Sequence, residues 1–222
     1  MAKIREIFVS IQGEGPYVGT RQLFIRFCGC NLHCNYCDTD FEIVKSKEYS
    51  PSELMNEISK MNDIFTVSLT GGEPLFSVEF LEAFLPLLKA AGHSIYLETN
   101  GTLPDNLTKV IEYVDVISAD IKLESSTGMK MNIDDYKRFF EIGSSKEIFA
   151  KIVFNDNITE DEINSAVQIA GTAGCEIILQ PEMKGNNFAV SDSKRDEIFE
   201  CFYKKYRKVR MIPQVHKFLG VI

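Results

Sequence analysis

Cys30, Cys34 and Cys37 stand in the run Cys30-Asn31-Leu32-His33-Cys34-Asn35-Tyr36-Cys37. Three thiolates on one short loop suit an iron–sulfur cube that wants four ligands, and a cube so held keeps one iron open to an outside group. That openness is what separates catalytic metal sites from closed structural ones. A fourth thiol, Cys28, makes a tetrahedral zinc set the competing reading, although Cys28-Gly29-Cys30 spaces two ligands more tightly than zinc pairs usually are. His33 reads as solvent-facing, since three thiolates already suffice. Six cysteines in 222 residues, four of them between 28 and 37, fit metal ligation in a reducing compartment better than a disulfide framework. Cys175 and Cys201 stand alone in apolar surroundings and read as buried small hydrophobes.

Other polar motifs stand out against apolar runs. Gly71-Gly72-Glu73-Pro74 is, taken alone, a tight turn between a strand and a helix; its glycines would also let backbone groups approach a ligand closely. Arg26 sits among Leu23, Phe24, Ile25 and Phe27 and needs a partner if its guanidinium faces inward. Glu98-Thr99-Asn100-Gly101 and Asp120-Ile121-Lys122 each follow a β-type run.

The elements that must position these groups alternate along the chain. Strands are expected over 22–27, 66–69, 94–97, 114–119, 148–154, 176–179 and 209–215, from short β-branched and apolar runs. Helices intervene. Ser50-Pro51-Ser52-Glu53 supplies an N-cap, a first-turn proline and a capping-box glutamate, with Leu54, Ile58 and Met61 at helical spacing; Thr159 and Glu162 repeat the box ahead of Ile163 and Val167. A third helix begins near Ser193 and carries Ile198, Phe199 and Phe202 on one face. Strand-then-helix alternation predicts an α/β fold with parallel strands and right-handed crossovers. About six central strands are too few for the eight of a closed barrel, so an open, partial β/α barrel is expected over a single domain, residues 1–222. The cysteine loop and the three later motifs each follow a strand, and all converge on one rim.

Composition narrows the partners. With 24 Lys and Arg against 32 Asp and Glu the net charge is −8, which argues against nucleic acid and favours a small-molecule substrate. The apolar stretches fall short of the roughly 20 residues of a membrane span, and the N-terminus lacks a signal-peptide core, so a cytoplasmic protein is expected.

The CxxxCxxC run with an aromatic before its last cysteine, followed after the next strand by Gly-Gly-Glu-Pro, resembles the radical S-adenosylmethionine enzymes. The resemblance implies a 4Fe-4S cluster on Cys30, Cys34 and Cys37 whose open iron is chelated by the amino acid end of S-adenosylmethionine. It places Gly71, Gly72 and Glu73 beside the cofactor amine, Glu98 and Asn100 near its ribose or methionine, and Tyr36 near its adenine. Asp38, Asp120, Lys122 and Gln180 complete the implied cofactor contacts, a solvated charged loop being the plain alternative for Asp120 and Lys122.

Ile11-Gln12-Gly13-Glu14-Gly15, Arg26, Cys37-Asp38-Thr39 and Gln214-Val215-His216-Lys217 further resemble the 7-carboxy-7-deazaguanine synthase family, over essentially the whole chain. That resemblance implies a 6-carboxy-5,6,7,8-tetrahydropterin substrate bound by Ile11, Gln12, Gly13, Glu14, Arg26, Thr70, His216 and the terminal carboxylate of Ile222. Gln12 and Glu14 can meet donors and acceptors on the pterin edge, and Arg26 can clamp a carboxylate. Thr39 is the implied ligand of Mg2+, which keeps waters and takes further oxygens from substrate. Alone, the Gln12 to Gly15 run is an ordinary polar turn and His216 a surface imidazole. An external electron donor such as flavodoxin or ferredoxin and a homodimer are also implied.

The implied chemistry is hydrogen abstraction from C6 of the pterin by a 5′-deoxyadenosyl radical, ring contraction and loss of ammonia, giving 7-carboxy-7-deazaguanine for queuosine and 7-deazapurine biosynthesis. Two rivals stand beside it. A glycyl-radical-enzyme activating protein would share the cluster but have no evident use for Gln12, Glu14, Arg26 and Thr39, and a zinc-stabilised binding module would hold no iron.

Overall fold

A computed structural model describes residues 1–35 and 46–221. Among them the order is β1 (Ala2–Ile11), β2 (Arg21–Phe27), β3 (Lys47–Tyr49), α1 (Pro51–Ile58), β4 (Thr66–Gly71), α2 (Val78–Ala90), β5 (Ser94–Thr99), α3 (Pro104–Val110) and β6 (Val116–Asp120). The chain continues through α4 (Glu124–Thr127), α5 (Ile133–Gly143), β7 (Glu147–Phe154), α6 (Glu160–Ala173), β8 (Glu176–Pro181), β9 (Met183–Lys184), β10 (Asn187–Phe188), α7 (Asp192–Lys205), β11 (Val209–Met211) and α8 (Val215–Leu219). No helix of the described residues is long and apolar enough to cross a membrane.

Nine strands form one sheet in the order β11-β8-β7-β6-β5-β4-β2-β1-β3. From β2 to β11 the neighbours pair in parallel, while β1 runs antiparallel to both β2 and β3. The order is linear, with β11 and β3 at its edges. Residues of β1 and β2 near one edge and of β8 near the other nevertheless line one cavity, so the sheet curves round on itself as the expected open barrel.

The period-two geometry of strands divides the sheet into two chemically different faces. Leu23, Ile25 and Phe27 of β2, Val67 and Leu69 of β4, Ile95 and Leu97 of β5, and Ile177 and Leu179 of β8 point outward into the main core, where helices cover them. The alternate residues point inward. Near the strand starts Tyr96, Val116, Phe149 and Ile178 form a separate apolar plug with Tyr17 and Ile212 packed against it. Towards the carboxyl ends the same inward rows turn polar, as Ser68 and Thr70, Glu98, Ser118 and Asp120, Lys151, and Gln180. The plug is the floor of the barrel, and the polar rows above it are the walls of a site.

Local signals explain the helices. Both capping boxes form: Ser50 and Glu53 close the start of α1, and Thr159 and Glu162 that of α6. Leu54 and Ile58 are buried on α1, Ile163 on α6, and Ile198 and Phe202 on α7. Met61 lies past the end of α1, half-buried against the core. Two departures from the sequence expectations stand out. The opening residues form β1, whose inward side chains Glu6 and Phe8 face Arg26 and Phe24 of β2. The run 209–215 breaks: β11 stops at Met211 and Val215 already opens α8, because Pro213 between them has no N–H for a ladder. The seven parallel strands, β2, β4 to β8 and β11, fall on the seven expected runs, in keeping with an open barrel of about six central strands.

Candidate active site

A cavity of 680 Å³ opens at the carboxyl ends of the parallel strands. Its lining includes Ile11, Gln12, Gly13, Glu14, Arg26, Thr70 and His216 from the expected substrate set, and Gly71, Gly72, Glu98, Asn100, Asp120, Lys122 and Gln180 from the expected cofactor set. Cys30 and Cys34 line it too. Tyr36, Cys37, Asp38, Thr39 and Ile222 lie outside the described residues.

The cysteine loop is fastened to the end of β5. Asn100 donates through Nδ2 to Asn31 Oδ1 at 2.8 Å and lies 3.7 Å from Cys30 Sγ, while Asn31 Nδ2 donates to Thr102 Oγ1 at 2.9 Å and Thr102 Oγ1 donates to Asn100 Oδ1 at 2.6 Å. Burial pushes the Cys30 thiol up, opposed by the Leu32 N–H; a bound metal reverses that penalty by taking the thiolate. Cys28 is not among the cavity residues, and its N–H pairs with Lys3. His33 is exposed, as expected. Cys175 is buried, which raises its thiol to about 11, while Cys201 is only half-buried on α7.

The Gly71 to Glu73 turn works differently at its two ends. A Cβ on Gly72 would come 2.0 Å from the Gly29 carbonyl oxygen, so only glycine lets this turn lie against the cysteine loop. Glu73 turns away from the cavity. Its fully buried carboxylate accepts from Leu75 N at 3.0 Å, Thr99 Oγ1 at 2.9 Å and Asn100 N at 2.6 Å. Burial pushes it up to about 7 against those three donors. Its side chain therefore ties the turn to β5, and what this turn offers a ligand is backbone and not the Glu73 carboxylate.

Deeper in the cavity, polar contacts are built around Glu98 and Glu14. Glu98 accepts from Gln12 Nε2 at 2.8 Å, Thr70 Oγ1 at 2.7 Å and Ser68 Oγ at 3.4 Å, so it shares its hydrogen bonds with Gln12 and Thr70 of the expected substrate set. Gln12 Oε1 in turn accepts from the Glu14 N–H at 3.0 Å. Glu14 accepts from Gln214 Nε2 at 2.8 Å and pairs with Lys151. Burial alone would raise the Glu14 carboxyl, but Lys151 and Gln214 outweigh it and hold the group at about 2. Arg26 has its inward partner in Glu6, Nε to Oε2 at 2.9 Å, and its guanidinium lies 5.5 Å from the centre of the Phe8 ring. Phe8 stacks on Phe24 with 5.3 Å between ring centres. His216 is a wall and not a surface imidazole: Val215 N donates to Gly13 O at 2.8 Å, and a Cβ on Gly13 would lie 2.4 Å from the His216 ring.

Lys151 was missing from the sequence-derived set. The signal was present, since Lys151 is the one charge in Ile148-Phe149-Ala150-Lys151-Ile152-Val153-Phe154, the same anomaly that Arg26 presents in β2.

These residues fit a cluster and a large polar cofactor on direct grounds. Two of the three motif cysteines face the cavity beside a glycine turn, and Gln180, buried in its wall, has an Oε1 with no hydrogen-bond partner among the described residues. Such a buried acceptor calls for a donor from a ligand or water.

Comparisons with known proteins agree. Residues 24–166 match the model of the Radical SAM superfamily, and the chain belongs to that superfamily. It is 34% identical to the 7-carboxy-7-deazaguanine synthase of Geobacter sulfurreducens, over 99% of this chain and 97% of that one. It is 35% identical to the enzyme of the same name from Archaeoglobus fulgidus, over 99% of each. The chain is a member of the 7-carboxy-7-deazaguanine synthase family. In fold it resembles the crystal structure of QueE from Escherichia coli, with a TM-score of 0.67, 21% identity and coverage of 97% of this chain and 94% of that one.

Proposed function

We propose that this protein converts 6-carboxy-5,6,7,8-tetrahydropterin into 7-carboxy-7-deazaguanine, with loss of ammonia, in 7-deazapurine biosynthesis. The observation that carries the reading is the single cavity in which Cys30 and Cys34 share a wall with Gln12, Glu14, Thr70, Glu98 and Arg26. A peptide-activating enzyme has no need of that concentration of groups suited to a flat heterocycle, and a zinc module has no need of the cavity.

When bound, the 4Fe-4S cluster and S-adenosylmethionine supply the hydrogen-abstracting radical; the protein positions the reactants and excludes water. Glu14, held anionic by Lys151, accepts from the N–H groups of the pterin edge. Gln12 presents a fixed amide, because its Nε2 donates a hydrogen bond to Glu98 and its Oε1 accepts one from the Glu14 N–H. Arg26 draws the substrate carboxylate to the β2 side of the cavity, with Phe8 and Phe24 as the apolar wall beside it. His216 and the α8 segment close the pocket over Gly13. Asp120, Lys122 and Gln180 line the part of the site assigned to S-adenosylmethionine. A Mg2+ ion on Thr39 completes the carboxylate site, electrons come from a flavodoxin or ferredoxin, and the protein works as a homodimer.

Anaerobic incubation with the carboxytetrahydropterin, S-adenosylmethionine and dithionite tests this, with mass analysis of the pterin. Loss of ammonia to give the deazaguanine is expected. Accumulation of 5′-deoxyadenosine with an intact pterin would overturn the substrate and leave the superfamily chemistry standing.

A further inference from the structure

Lys151 is a buried charged group in the cavity wall that no motif accounts for. Its side chain is 8% exposed, and its Nζ meets Glu14 on one side and Asp120 Oδ1 at 3.1 Å on the other. Asp120 and Lys151 are directly paired on β6 and β7, which sets the second contact side by side as an ion pair, Asp120 Oδ1 having no hydrogen-bond partner among the described residues. The first crosses the barrel mouth to the loop after β1. Each carboxylate has one further anchor, Gln214 on Glu14 and Lys122 on Asp120 at 2.6 Å.

One ammonium thus joins two acids that the proposed function places on different ligands, Glu14 on the pterin and Asp120 on S-adenosylmethionine. An ammonium has three donors and no acceptor, so it can hold both at once. Removing it leaves Glu14 held by Gln214 and Asp120 held by Lys122, with no group left to join the two acids. A ligand that orders one acid orders the other through the shared ammonium and lowers the conformational cost of the second binding event.

We propose that Lys151 is a positioning residue that ties the orientation of Glu14 to that of Asp120, so that S-adenosylmethionine and the pterin promote each other's binding. The inference rests on the pterin reading above. By linkage, the enhancement must be equal in both directions.

The test uses cluster-loaded protein without reductant, so that nothing turns over, and measures the pterin Kd by calorimetry with and without S-adenosylmethionine. In the wild type the cofactor should tighten pterin binding about fivefold or more. In Lys151→Met that factor should fall to near one and the pterin Kd should rise about tenfold; Lys151→Arg, which keeps the charge, should restore part of the coupling. If Lys151→Met does not fold, Asp120→Asn and Glu14→Gln carry the test. Each should weaken the ligand on the far side of Lys151, Asp120→Asn the pterin and Glu14→Gln the cofactor. Coupling retained in Lys151→Met, or far-side affinities unchanged in the other two, would overturn the proposal. A wild type that binds S-adenosylmethionine but no pterin would overturn the assigned substrate instead, and the effect of Glu14→Gln on cofactor binding would still decide the role of Lys151.

Discussion

Glu14 is the residue whose chemistry the site shapes most. Its pKa falls from 4.5 to about 2 because Lys151 and Gln214 favour the anion more than burial penalises it. As pH drops below 4.5 the unfolded chain takes up a proton that the folded chain refuses. The stability from this group is therefore whole at neutral pH and is lost as pH falls toward about 2. The loss amounts to about 3 kcal/mol. Glu14→Gln should flatten the acid limb of a urea-denaturation stability profile by about that amount, and an unchanged limb would show that the pair contributes nothing net. Cys34 makes a second prediction at this scale. Cys34→Ala should lose the brown chromophore and the iron, about four atoms per chain in the wild type, and an iron-free variant that still turns over would contradict the cluster assignment.

Elements decide how well these side chains are held. The short α8 rests on the loop after β1 through the bare Cα of Gly13, under the His216 ring. Gly13→Ala should push α8 outward and raise the pterin Kd about tenfold, while S-adenosylmethionine binding stays within about twofold, because the methyl group meets packed atoms on one side of the cavity only. The capping boxes act elsewhere. Ser50→Ala, at the start of α1, should cost about 1 kcal/mol in chemical denaturation and leave turnover unchanged, since α1 contributes no residue to the cavity lining. Capping signals, cysteine spacing and the glycine turn were legible because each is a local pattern with a local cause. The β1 strand was not, because its two faces both mix polar and apolar residues and show no clean alternation. Helices α2 and α5 bury wide apolar faces, Val78 to Leu88 and Tyr136 to Gly143, but α2 has no side-chain cap to mark its start.

At the scale of the molecule, the sheet sorts side chains by parity. Outward rows are apolar and covered by helices, while inward rows pass from an apolar floor to polar walls. A substrate that is flat, polar and carboxylated suits such a chamber. The proposed Mg2+ site predicts that chelation by EDTA should lower turnover of cluster-loaded protein at least about tenfold, and that added Mg2+ should restore it. Undiminished activity after rigorous chelation would remove the metal from the mechanism and leave the rest of the site intact.

The sequence by itself determined the α/β class, the order of most elements and the motifs at the strand ends, since these follow from spacing and residue type, and family resemblance added about half of the residues that line the cavity. Tertiary structure alone decided how those residues divide their work. It turned the Glu73 carboxylate away from the cavity to brace β5, gave Glu98 to the Gln12 and Thr70 side of the cavity, paired Arg26 with Glu6, and set Lys151 between Glu14 and Asp120. The reason is that motif spacing is a property of one segment. A carboxylate's role depends on which donors from other strands arrive beside it, and strand register and barrel curvature bring them there.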